Sequence, residues 1–198
     1  MIVATRAEMV EATRGRLIAA ARRAFATQGY AASSMDDLTA EAGLTRGALY
    51  HNFGDKKGLL KAVIDQIDAE MLARMRAAQE GAKTPWDAFV TEGVAYIEMS
   101  LEPEIQRIML LDGPAVLGDP SRWPNQTACL RTTTATVQAL IDAGVVQPID
   151  AEAAARLVNG AALNTALWIA AADDPAAVLV RSVEAFRTLV AGLRTPAA

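Results

Sequence analysis

Gly43-Leu44-Thr45-Arg46-Gly47-Ala48-Leu49-Tyr50-His51-Asn52-Phe53-Gly54-Asp55-Lys56-Lys57-Gly58 reads as a tight turn, a helix of barely two turns, a one-glycine break and the basic start of another helix. Gly43 stands where a preceding helix must stop, because glycine takes a left-handed C′ conformation without a Cβ penalty. Thr45 then offers its hydroxyl to the free amides at the next helix start. Leu44, Leu49 and Phe53 share one side at roughly helical spacing, which leaves Arg46, Ala48, Tyr50, His51 and Asn52 facing something polar. A helix this short does not persist alone in water. It has to be held by neighbours and offered outward as a probe.

The neighbours precede it. From Thr13 to Gln28 a helical stripe runs through Leu17, Ala21 (or Ala20) and Phe25, with Arg14, Arg16, Arg22 and Arg23 on other faces, and Gly29 stops it. Ser34-Met35-Asp36-Asp37 places a hydroxyl cap three residues before a carboxylate, close to a capping box with Asp in place of Glu. The helix it opens, Met35 to Ala42, buries Leu38 and Ala42. Two helices, a glycine turn and a third helix make a helix-turn-helix unit, whose short last helix suits a DNA groove.

Phe25-Ala26-Thr27-Gln28-Gly29-Tyr30, Ser33-Ser34-Met35-Asp36-Asp37-Leu38, Ala42-Gly43-Leu44-Thr45-Arg46-Gly47-Ala48-Leu49-Tyr50 and Phe53-Gly54-Asp55-Lys56 together resemble the N-terminal domain of the tetracycline-repressor (TetR) family, from about Thr13 to Leu60 without a gap. Two positions depart: Thr39 stands where the family usually has Ala, and Asn52 where it usually has His before the Phe. The resemblance implies that Thr45, Arg46, Ala48, Tyr50 and His51 meet the major groove or its flanking phosphates. Asn52 shares their helix, and Lys57 is implied to meet a phosphate. The residue chemistry agrees. Arg46 can fork onto guanine O6 and N7, His51 can donate or accept at a base edge, and Ser34 and Thr45 sit at helix N-termini that favour phosphate oxygens. Tyr50 would equally suit the three-helix core, and His51 a plain solvated face. Cations at Lys56 and Lys57 oppose the helix dipole, so an anionic partner explains them better than solvent does.

Composition bounds the rest. At 198 residues, 52% hydrophobic and only 5% aromatic, the chain can bury a sizeable core, and no stretch alternates as a strand would. It reads as all-α, with about nine helices. The net charge of −4 is unevenly divided: residues 1–61 hold nine Lys/Arg and six Asp/Glu, so this part is +3 and the remainder −7. That split fits a DNA-reading head on an acidic body. One Cys, Cys129, and one His, His51, cannot build a disulfide or a Cys/His metal site, which suits a reducing cytoplasm; no metal or cofactor is expected. Met1 to Arg6 lacks an export-signal pattern, and Ala161 to Ala172 is too short to span a bilayer and reads as a buried core helix. A cytoplasmic protein with no membrane partner is expected.

The head is assigned to residues 1–55 and a helical ligand-binding and dimerisation body to 56–198. Lys56 to about Gln79 forms a long helix with a stripe through Leu60, Val63 or Ile64, Ile67, Met71 and Met75. Trp86 to Ser100 makes the next, and Pro103 starts a shorter helix through Ile105, Ile108, Met109 and Leu111. Asp112-Gly113-Pro114 and Gly118-Asp119-Pro120 mark an irregular connection to a helix over roughly Ser121 to Ala143. Gly144 ends that helix, Asp150 caps the next, and Asp174-Pro175 separates the final two. In the resembled family this body holds a small-molecule pocket and pairs through its last two helices. Candidate pocket residues are Trp86, Tyr96, Met99, Met109, Trp123, Cys129, Thr133, Thr136, Asn164 and Trp168, with Asn164 favoured because a buried amide needs a partner. Leu179, Val183, Phe186, Val190 and Leu193 have the four-three spacing of a helix seam, suited to a homodimer or to packing within one subunit. Glu98 and Glu102, four apart, could mimic an acid–base pair, but no nucleophile motif or phosphate loop accompanies them, so an enzyme is not expected. The expected function is a homodimeric regulator, a repressor released from a palindromic operator on double-stranded DNA by a small-molecule effector. The alternative is a helix-turn-helix adaptor or DNA-compacting protein acting without a ligand.

Overall fold

The computed structural model describes residues 5–196; Met1 to Ala4, the start of the stretch read for an export signal, lie outside the described residues. Among the described residues, nine α-helices run α1 (Arg6–Gln28), α2 (Met35–Glu41), α3 (Arg46–Phe53), α4 (Lys56–Gln79), α5 (Pro85–Met99), α6 (Gly113–Leu117), α7 (Pro124–Asp142), α8 (Ala151–Ala170) and α9 (Pro175–Ala191). A π-helix, Ile105–Asp112, precedes α6, and a 3₁₀ turn, Pro120–Arg122, comes after it. Among the described residues the only β-pairing is an isolated antiparallel bridge between Val146 and Arg194.

The helix ends obey the local chemistry of the sequence. Gly43 has φ +62, Gly29 +84, Gly54 +78 and Gly144 +70, so each stop uses a conformation that a Cβ disfavours. Ser34, Thr45, Asp150 and Asp174 each accept an amide from three residues on. Asp55 caps α4 in the same way, taking the Gly58 amide at 2.7 Å. Helix α1 begins earlier than the apolar stripe indicates. Thr5 and Glu8 form a complete capping box, and its two extra N-terminal turns are exposed, so apolar spacing leaves no trace of them.

Asp112-Gly113-Pro114 is not a break. The helix runs through it to Leu117 and stops at Gly118, φ +84. Pro114 has no amide to bond Leu110, and the wide π turns lie immediately before it, where the ladder must adjust. The wider winding also shifts the buried face. Ile105, Ile108, Met109 and Leu110 are buried, whereas Leu111, placed on the stripe by α-spacing, is exposed. A Cβ on Gly113 would lie 2.8 Å from both the Ile108 carbonyl and the Trp123 ring, so glycine is what allows this rod to close on α4 and Trp123.

One core joins Leu17, Phe25, Leu38 and Leu49 of α1–α3 to Leu60, Ile64, Ile67 and Met71 of α4 and to Ile105 and Ile108. Helix α4 is therefore structurally shared between the head and the body. A second core lies between α5, α7, α8 and α9. For two residues of the expected seam the partner is the subunit's own core. Phe186 and Val190 are buried in this second core, and Leu179, Val183 and Leu193 pack against it. A Cβ on Gly93 of α5 would meet the Phe186 ring at 2.6 Å, so the two helices are in close contact within one subunit. The opposite face carries the exposed residues: Leu157 and Trp168 on α8, Val180 and Leu189 on α9. Four-three spacing identifies an apolar face; it does not distinguish an intramolecular partner from a second chain.

Candidate nucleic-acid interface and effector cavity

Helix α3 is held from behind by arginines of α1. The Arg14 guanidinium lies 4.5 Å over the Phe53 ring and donates to the Asn52 carbonyl at 3.2 Å. Arg16 donates to the Ala42 carbonyl, closing the end of α2. Arg23 pairs with Glu41 at 2.8 Å. A Cβ on Gly58 would lie 2.0 Å from the Phe53 carbonyl oxygen, so the first turn of α4 is seated directly under the end of α3. Thr39 costs nothing as a buried polar residue, since its hydroxyl donates to the Met35 and Asp36 carbonyls at 3.0 Å.

The outward face of α3 presents Arg46, Tyr50 and His51, all exposed, with Thr45 at its start, Ala48 half-buried between them and Lys57 exposed on α4. Tyr50 therefore stands outside the three-helix core. Arg46 contacts Asp36 at 3.3 Å in an exposed pair, and such a pair yields readily to a stronger acceptor. Three candidates are already engaged. Asn52 is half-buried and donates to the Ala48 carbonyl at 2.8 Å, back onto its own helix. The Ser34 hydroxyl is 2.6 Å from the Asp37 carboxylate, which opposes a phosphate there. Thr45 accepts the Ala48 amide at 3.2 Å.

Behind the head, three elements converge. The Arg22 guanidinium forks onto Glu70 of α4 at 2.6 and 2.7 Å and onto Glu104, beside the π-helix, at 2.7 Å through two nitrogens. Its hydrogen bonds hold the Glu70 carboxyl below the usual carboxylate range. The Tyr30 amide, just past α1, donates to Asp112 at 2.7 Å, and the Lys56 ammonium sits 4.3 Å over the Tyr30 ring. Residue spacing carries no sign of this latch, because its members lie up to 82 residues apart.

Between α4, α5, α7 and α8 lies a cavity of about 650 Å³, counting its open mouth, with Met75, Phe89, Tyr96, Cys129, Thr133 and Asn159 among its lining residues. A smaller one beside it is lined by Tyr96, Met109, Trp123 and the π-helix residues Ile105 and Leu110. Of the sequence candidates, Tyr96, Cys129, Thr133, Met109 and Trp123 reach these cavities. Trp86 packs against Phe89 from outside, with ring centroids 5.8 Å apart, and Met99 is buried in the first core. Asn164 and Trp168 are exposed on α8, away from both cavities, so the buried-amide argument for Asn164 fails. The Ala161 to Ala172 stretch is thus amphipathic rather than wholly buried. Thr136 lines neither cavity and bonds the Thr132 carbonyl at 3.1 Å. Two carboxylates that sequence reasoning missed, Asp68 and Glu92, line the larger cavity, and burial pushes both above the usual carboxylate range. Glu102 is held by Arg74 and Glu98 is exposed, so the two do not act as a pair.

Residues 17–63 match the model of bacterial regulatory proteins of the tetR family, and residues 86–193 that of the tetracyclin repressor-like C-terminal domain. A crystal structure of a TetR-family transcriptional regulator from Pectobacterium atrosepticum is 48% identical, covers 98% of this chain and 100% of its own, and superposes with a TM-score of 0.88. The HTH-type transcriptional regulator UidR of Escherichia coli K12 is 28% identical over 125 residues, 63% of this chain and 60% of UidR. TtgR of Pseudomonas putida is 40% identical over 60 residues, 30% of this chain and 29% of TtgR. The matched region thus spans about three-fifths of UidR or less of such curated relatives.

Proposed function

This chain belongs to the tetR family of bacterial regulatory proteins, DNA-binding transcriptional regulators, and from that premise we propose that it is a homodimeric repressor released from a palindromic operator by a small ligand. The observation that carries the proposal is the placement of α4. One end of this helix seats the outward-facing α3, and its middle walls the cavity through Asp68, Leu72 and Met75. A ligand that prefers one position of α4 over another would thereby bias the head, and only such differential affinity can drive release. The π-helix offers a second route, since it lines the smaller cavity with one face and anchors Arg22 and Tyr30 through residues at its ends.

The exposed apolar residues Leu157, Trp168, Val180 and Leu189 suit a second copy of this chain, joined about a twofold axis. Two heads so related read half-sites about 34–36 Å apart on one face of a duplex. Non-specific compaction would need cations arrayed outward to meet phosphates, but Arg14, Arg16, Arg22 and Arg23 are engaged within the chain. Selection of bound sites from random duplex DNA should return an inverted repeat. Arg46→Ala should then cost about 1–3 kcal/mol and relax preference at one base position, whereas Lys57→Ala should weaken all sequences alike and lower the salt slope by about one. Recovery of no preferred sequence would refute the operator reading.

A further inference from the structure

We infer that the larger cavity takes an organic cation: a compact apolar body bearing a protonated amine, seated between Asp68 and Glu92. This deepens the ligand-release reading and rests on it only for the effect on DNA. Asp68 on α4 and Glu92 on α5 line one open-mouthed space, and no lysine, arginine or histidine is among its lining residues. The charged groups around them leave the field negative. Glu92 accepts a hydrogen bond from Gln79 at 2.9 Å and feels Arg76 from α4, but neither neutralises the cavity. Asp68 makes no ion pair among the described residues, and its near neighbour is another acid, Asp65, itself engaged by Lys61 at 2.7 Å and by Asn125 at 3.3 Å.

Tyr96, half-buried, lines the same space and brings a phenol hydroxyl to it. Burial is the largest influence raising its ionisation above the ordinary range, and its hydroxyl makes no hydrogen bond among the described residues. The Cys129 thiol lines the same cavity as both carboxylates and is pushed up, first by burial and then by Glu92 and Asp68. Two partly buried carboxylates that make no ion-pair contact among the described residues carry a desolvation cost that a cation would relieve and an anion would increase. The remaining walls suit the body of such a ligand. Phe89 and Tyr96 contribute aromatic rings and Met75 a deformable contact, while Leu72, Val158 and Ala162 are apolar.

The test uses three probes with one apolar body: phenylbutylamine, phenylbutanol and phenylbutyrate, titrated calorimetrically into the full chain. The amine should bind about ten- to a hundredfold more tightly than the alcohol, the range expected for a hydrogen-bonded charge, and the carboxylate should not bind. Asp68→Asn and Glu92→Gln should each weaken the amine by about tenfold or more and leave the alcohol unchanged, with circular-dichroism melts confirming that both fold. Binding of phenylbutyrate as tight as that of the amine, amine binding indifferent to both substitutions, or binding of none of the three overturns the inference. Operator affinity is measured separately by fluorescence anisotropy. Charge-dependent amine binding that leaves operator affinity unchanged supports the ligand class and refutes release.

Discussion

Replacing Leu157 with Glu and, separately, Phe186 with Arg separates the two faces of the final helices. Leu157 keeps 74% of its surface exposed in one subunit. Burying a whole leucine side chain is worth about 1.5–3 kcal/mol, so its share in a dimer is about 1–2 kcal/mol. Twofold symmetry uses each contact twice, which brings the loss to about 2–4 kcal/mol. That corresponds to a dimer dissociation constant raised by about 30- to 700-fold, before the cost of burying the new carboxylates is added. Phe186 is only 4% exposed and lies against Gly93, so an arginine there strikes the subunit's own core. Sedimentation equilibrium should find Leu157→Glu monomeric at concentrations where the unaltered chain is dimeric, with its melting cooperative and operator affinity largely lost. Phe186→Arg should lose cooperative melting. A Leu157→Glu protein that remains a tight dimer, or a Phe186→Arg protein that is a well-folded monomer, would refute this assignment of faces.

Gly93→Ala drives a methyl into the Phe186 ring at 2.6 Å, where a buried side chain has little room to yield; thermal melts should show a loss of about 1–3 kcal/mol, and an unchanged melt would remove the contact. Burial raises the pKa of Asp68 in the folded state, so the stability this group contributes is full below its unfolded value of about 3.9 and is lost as pH rises through the folded value. Asp68→Asn should therefore melt above the unaltered chain at neutral pH, and the gap should close towards pH 4 or below; a gap independent of pH would exclude burial as its cause. Arg22→Met leaves Glu70 and Glu104 facing each other without their shared cation, so stability should fall by about 1–2 kcal/mol at low salt and by less at high salt, read from denaturant melts.

What was legible in the sequence was whatever depends on neighbours a few residues away. The caps at Ser34, Thr45 and Asp150, the stops at Gly29, Gly43 and Gly144 and the separation of the last two helices at Asp174-Pro175 all stand where the residue types put them. The apolar stripe of α4 is buried as its spacing implied. Thr5–Glu8 was equally legible by its capping pattern, but the turns it opens bury nothing. Relations across the chain were not legible. Periodicity finds the apolar face of α9 without naming what covers it, and α8 has two apolar faces, one of them against solvent. Asn52 and Asn164 were read by residue type, yet the first turns back to Ala48 and the second stands exposed. Nothing in the local sequence singles out Asp68 and Glu92; they come together only because the fold brings α4 and α5 around one space.

The two rods that tie head to body differ in how they tolerate a change of length. Helix α4 is a ruler: a residue removed from its middle turns everything beyond by about 100° and shortens it by about 1.5 Å, twisting the seat of α3 away from the cavity. The π-helix carries slack. Its wide turns hold more residues over the same rise than an α-helix does, so a residue lost between Ile105 and Asp112 can be absorbed by tightening to α-winding. Glu104 and Asp112 would keep their spacing to Arg22 and Tyr30 through such a loss. Length variation within a lineage of this fold should therefore collect in the π segment and be absent from α4.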